Sequence, residues 1–113
     1  MRSIYTPDRW VVIRITYPEN TPFVREEDRS FECVLAGWTG GYLDSDRWRR
    51  STRIIRREDD GEYLVFTGES GSSYRCHKQQ YGFTILTGAV LEQMHTSADK
   101  DGATIKVYTQ EEL

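Results

Sequence analysis

Residues 31–38, FECVLAGW, restrict the fold more than any other stretch of this chain. Phe31, Cys33 and Leu35 share one parity and Val34, Ala36 and Trp38 the other, so an extended strand here carries apolar side chains on both faces. Such a strand has to be partly covered on both sides. The run RWVVIRITY at 9–17 has the same β-branched and aromatic character, with Val11, Ile13 and Ile15 on one face. At 113 residues the chain has the length of one compact domain, 1–113, and 12% aromatic residues argue against disorder.

The punctuation between apolar runs places the remaining elements. PENTPFVREED at 18–28 mixes two prolines with acids and reads as an exposed connection, the best candidate for a mobile loop. Gly40 and Gly41 end the strand at 31–38. Residues 48–55 have strand composition but mixed parity, since the adjacent Ile54 and Ile55 must point to opposite faces, which calls for a bulge or an edge position. DDG at 59–61 followed by EYLVFTG at 62–68 predicts a hairpin, and after the turn ESGS the segment SYRCHK at 73–78 alternates with Tyr74 and Cys76 on one face.

Beyond Gly82 the period changes. Leu86, Val90, Met94 and Ala98 recur every four residues with Leu91 beside them, and Thr84 or Thr87 can cap the start, so a helix of about three turns is predicted. DKDG at 99–102 stops it, and ATIKVYT at 103–109 is a final strand before an acidic tail. The expected architecture is α+β: a five- or six-stranded, mainly antiparallel sheet, open or curled into a small open barrel, with one helix in the C-terminal half covering a face or a mouth.

No catalytic pattern emerges. GESGSS at 68–73 resembles a nucleophile elbow only superficially, because it is G-x-S-G between two strands rather than G-x-S-x-G at a strand-to-helix turn. Cys33, Cys76, His77 and His95 lack metal-ligand spacing, and adjacent strand residues such as Cys76 and His77 face opposite ways. Asp99, Asp101 and Gly102 lack the other ligands of a calcium loop. Neither a metal nor a cofactor is expected, and the chain reads as non-enzymatic. Two distant cysteines in apolar runs are expected as buried, reduced thiols, and VVI at 11–13 is too short for a secretory core or a membrane span, so the cytoplasm is the expected compartment.

The most charged stretch is RWRRSTRIIRR at 47–57, which holds six of the twelve arginines of a chain whose net charge is −3. With Trp48 among them it could track phosphates and stack on a base. Yet residues 44–62 carry six basic and six acidic side chains, so the segment is neutral as a whole and reads as one charged, partly self-paired strand of a hairpin. Aromatic density a few residues upstream is more distinctive. In GWTGGYLDSDRW at 37–48, Trp38, Tyr42 and Trp48 surround a glycine pair; core packing is the first explanation for each ring singly, and an exposed contact surface for another protein is the functional one.

VLAGWTGGYLDSDRWRRSTRI and GEYLVFTGESGSSYRCHKQQYGF together resemble a group of small uncharacterised proteins encoded by tailed bacteriophages of enteric bacteria. The resemblance rests on Trp38, Gly40, Gly41, Tyr42, Asp46, Trp48, Arg49, Ile54, Ser70, Gly71, Ser72, Tyr74 and Cys76. Ser45, Arg47 and Arg53 depart from the group's pattern, which has Gly, Ser and Gly there, so much of the arginine run is peculiar to this chain. The resemblance implies a phage or prophage origin and a place in the infected cell's cytoplasm, and it supplies no activity. The resulting expectation is an accessory protein that binds a host protein through Trp38, Tyr42, Trp48, Arg49, Arg50 and Arg53, as a monomer or a homodimer. The alternative is a nucleic-acid binder using the arginine-rich strand 47–57.

Overall fold

The two double-sided strands form the centre of the molecule. In the computed structural model, which describes residues 3–40 and 46–113, they are β2 (Arg9–Thr16) and β3 (Ser30–Trp38), preceded by the two-residue β1 (Ile4–Tyr5). The chain continues through β4 (Arg47–Arg50), β5 (Ile54–Asp59), β6 (Tyr63–Gly68), β7 (Ser73–His77), α1 (Ile85–Asp101) and β8 (Thr104–Val107). An antiparallel central sheet has the order β4-β3-β2-β8, and a second, outer sheet has the order β1-β7-β6-β5, antiparallel except for the β1–β7 pair.

The α+β class and the mostly antiparallel pairing agree with expectation, but the strand count and the number of sheets do not. Eight strands among the described residues make two open four-stranded sheets instead of one sheet of five or six, and they do not close into a barrel. Period-2 alternation tells which residues share a face; it does not say which sheet a strand joins.

Packing explains the two-faced strands. On one side of the central sheet Trp10, Val12, Val34 and Ala36 meet Leu64, Phe66, Tyr74 and Cys76 of the outer sheet. On the other, Val11, Ile13, Ile15, Cys33 and Leu35 meet Leu86, Val90, Leu91 and Met94 of α1. The result is three layers, outer sheet, central sheet and helix, with the strands of the middle layer buried on both faces. Cys33 and Cys76 therefore lie on opposite sides of the central sheet as free, buried thiols. Burial pushes the Cys33 thiol up to about 12 and the Cys76 thiol upward as well.

Helix α1 starts where the sequence places it. The Thr84 side chain accepts from the Thr87 N–H at 3.0 Å, and the Thr87 hydroxyl accepts from the Thr84 N–H at 2.8 Å, a reciprocal cap that uses both threonines. The helix runs 17 residues, longer than expected, because DKD continues it until Gly102 takes the left-handed conformation at φ 71°.

The arginine run is not one strand. β4 belongs to the central sheet and β5 to the outer one, and residues 51–53 carry the chain between them. Ser51 makes the corner: its N–H donates to the Val34 carbonyl at 2.8 Å, while its hydroxyl accepts from the Val34 N–H at 2.8 Å and donates to the Thr52 carbonyl at 2.7 Å. The side-chain oxygen thus takes the place of the main-chain carbonyl that the next rung of the ladder would need, and the backbone is free to turn away. Ser51→Ala leaves the buried Val34 N–H without its acceptor. We expect it to lower the unfolding free energy by about 1–3 kcal/mol, read from the midpoint of a urea titration.

Candidate functional site

β4 is an edge strand, and its register with β3 sorts the side chains of RWRR by face. Arg47 lies opposite Trp38 and Arg49 opposite Ala36, on the side facing the outer sheet. Trp48 lies opposite Gly37 and Arg50 opposite Leu35, on the helix side. Of the proposed contact residues, Trp38 and Arg49 therefore share one face and Trp48 and Arg50 the other.

Between β4 and β1, at the mouth of the sandwich, is a cleft of 380 Å³ lined by Ile4, Tyr5, Thr6, Trp38, Arg47, Trp48 and Arg49. Tyr5 is its floor. It stacks on Tyr74 with centroids 5.1 Å apart and meets Trp38 edge-on at 6.2 Å. The half-buried Trp38 packs against the rim of the inter-sheet core, and its Nε1–H donates to the Thr6 carbonyl at 3.0 Å. Arg49 is held in place as well: its Nε donates to the Tyr74 hydroxyl at 3.1 Å, and its guanidinium lies 4.6 Å over the Tyr5 ring. Trp48 is 45% exposed and forms the ridge between this cleft and a 330 Å³ groove on the helix side, which it lines with Arg50, Met94 and Ile105.

The other arginines do not converge on the cleft. Arg50 sits 5.8 Å over the Phe31 ring. Arg53 is tied to Glu69 at 2.5 Å, with Asp28 3.9 Å from its buried Nε, and Arg25 bonds both of these acids. The Arg53 and Arg25 guanidiniums hold the Glu69 carboxyl below its ordinary range. Arg56 pairs with Glu58 of its own strand at 2.7 Å, and Arg57 donates to the backbone oxygen of Leu113 at 2.7 Å. Glu62, just past the DDG turn, lies 3.9 Å from His77. A continuous arginine strand over 47–57 is thus replaced by two short strands whose guanidiniums point to different surfaces.

Trp38, Trp48 and Arg49 meet in one cleft, Arg50 and Arg53 lie outside it, and Tyr42 falls outside the described residues. Sequence reasoning missed Ile4, Tyr5 and Thr6, because a two-residue strand has no periodicity to read. The GESGSS turn is structural in its contacts: the Ser70 N–H donates to the Thr52 Oγ1 at 3.1 Å, fastening the β6–β7 turn to the sheet-crossing corner. Among the described residues no group of three or more His, Cys, Asp or Glu side chains is placed to hold a metal ion, and no helix is long and apolar enough to cross a membrane. Comparison of the chain with protein-family models, with curated proteins and with solved structures finds no significant match.

Proposed function

We propose that this protein is a non-enzymatic interaction module whose β1–β4 cleft binds an acidic, apolar-tipped segment of a partner protein. Following the resemblance noted above, it is a phage accessory protein and the partner is a host factor. One observation carries the reading. Within a chain of net charge −3, the cleft presents two arginines beside three large aromatic rings, and none of the described side chains lining it is acidic. Rigid aromatic anchors with arginine beside them are the usual energetic centres of protein interfaces. Arg49 is already oriented by Tyr74 and Tyr5, so little side-chain entropy is lost when it meets a carboxylate.

The dispersal of the other arginines over two sheets and onto acids gives little support to the alternative, a phosphate-tracking nucleic-acid binder. The experiment that separates the two is affinity capture from a lysate of an enteric bacterium with wild type, Trp48→Ala/Arg47→Ala and the distant control Ile55→Ser. A captured protein should lose about 30-fold in affinity to the cleft variant and nothing to the control. Equal binding by all three forms sinks the cleft. Salt-sensitive retardation of single- or double-stranded nucleic acid by wild type would favour the alternative.

A further inference from the structure

The far edge of the outer sheet carries a different signal. β5 (Ile54–Asp59) is an edge strand six residues long, paired with β6 on one side, and every residue after Ile54 is exposed. Its hydrogen-bond phase is fixed by neighbouring contacts. The Asp60 N–H donates to the Tyr63 carbonyl at 3.0 Å, and the Lys78 N–H to the Glu62 carbonyl at 2.9 Å. By the alternation of an antiparallel ladder, odd residues of β6 bond to β5 and even residues bond to β7. Residues 56, 58 and 60 of β5 therefore point their main-chain groups at β6, and those of Arg57 and Asp59 point outward.

Edge strands are commonly protected by charge, and RRED at 56–59 is charged throughout. The order of these charges is not neutral with respect to a second copy, however. A two-fold axis normal to the sheet pairs residues of equal parity and continues each face of one copy into the same face of the other. With the axis at Glu58, Arg57 comes opposite Asp59 of the second copy and Arg56 opposite its Asp60, each pair occurring twice, while within one chain Arg57 also reaches the Leu113 oxygen, Asp59 Lys78, Arg56 Glu58 and Asp60 Arg75. Only the two Glu58 side chains meet as like charges. Within residues 54–60, moving the axis to Arg57 keeps two opposite-charge pairs, and moving it to Arg56 or Asp59 keeps none. In the Glu58-centred register Arg57 and Asp59 occupy the hydrogen-bonded positions, so the outward main-chain groups meet each other in four N–H···O bonds. The bulge between Ile54 and Arg56 ends the ladder, leaving the half-exposed Ile55 at its margin.

We propose that the protein forms a two-fold dimer by antiparallel pairing of β5 with β5 of a second copy, centred on Glu58, which joins the outer sheets into one eight-stranded sheet. The charge pattern blocks indiscriminate edge pairing and admits this partner in this register.

Arg56 and Asp60 allow a test at exposed positions, 68% and 44% accessible, whose intrachain partners Glu58 and Arg75 form only surface ion pairs of small worth to the fold. Arg56→Asp places two acids opposite Asp60 in each homodimer, and Asp60→Arg places two bases opposite Arg56. Sedimentation velocity over a dilution series at low salt should show a wild-type dimer that weakens with salt, and each single variant should have a dissociation constant raised about ten-fold or more. An equimolar mixture of the two variants should dimerise, since each mismatch is then corrected by the other copy; the double variant Arg56→Asp/Asp60→Arg should dimerise by itself. A wild type that stays monomeric throughout, a dimer indifferent to either charge reversal, or folded variants whose mixture stays monomeric would overturn the proposal.

Discussion

Trp10→Ala is expected to lower the unfolding free energy by about 3–5 kcal/mol, a large part of the about 5–15 kcal/mol available to a domain of this size. The indole is 1% exposed and sits where the layers are joined. Its ring meets Tyr81 edge-on at 4.7 Å and Phe66 at 5.6 Å, and its Nε1–H donates at 2.7 Å to the carbonyl of His77 in the opposing sheet. The backbone at the same position accepts from the Gly82 N–H and bridges to Tyr81, so the link from β7 to α1 is pinned there too. Trp10→Phe separates the contributions. It keeps much of the apolar contact but removes the donor to His77, and we expect a smaller loss of about 1–3 kcal/mol. A urea midpoint for Trp10→Ala equal to that of wild type, at unchanged slope, would contradict this account of the sandwich.

Gly37→Ala is expected to cost about 1–3 kcal/mol although it adds a single methyl group. A Cβ at Gly37 would lie 2.7 Å from the Thr87 Cγ2 and 2.9 Å from both the Cγ2 and the Oγ1 of Thr84. Those threonines cannot move aside cheaply: both are buried, and their hydroxyls cap the helix through each other's N–H groups. Glycine is needed here for close approach of β3 to the start of α1. Thr87→Ser deletes the nearest methyl and keeps the hydroxyl, so the double variant Gly37→Ala/Thr87→Ser should be more stable than additivity of the single changes requires. Strict additivity in thermal or urea unfolding would remove this explanation.

These two positions show which parts of the molecule the chain announces. The strands at 9–17 and 31–38, the DDG hairpin, the alternation of Tyr74 and Cys76 and the threonine-capped helix are all local patterns, and each is present in the structure. Gly37 reads in the sequence as an unremarkable strand residue, because the atoms that require a glycine there lie some fifty positions away in α1. Likewise Ser51 gives no sign that its hydroxyl ends one ladder so that the chain can enter another sheet. That hydrogen bond sits at the corner where the arginine run, continuous in sequence, is split between two sheets.

The cleft was partly legible for the same reason. Trp38, Trp48 and Arg49 stand out as aromatic and basic residues around a glycine pair, and they do meet. Arg50 and Arg53 belong to the same run but fall on other surfaces, Arg50 through strand parity and Arg53 beyond the corner. The floor of the cleft, Tyr5, comes from β1, which reaches Tyr74 through a parallel pairing about seventy residues distant in sequence.

The sequence by itself determined the α+β class, the two-faced character of β2 and β3, the capped helix and the balance of charge around the arginines, because periodicity, capping and composition act over a few neighbouring residues. The tertiary structure alone decided that the strands divide into two sheets with the helix as a third layer, that Gly37 must lack a side chain, and that Tyr5 joins Trp38 and Arg49. Those outcomes depend on which distant surface covers each apolar face, and that choice is made by packing between segments.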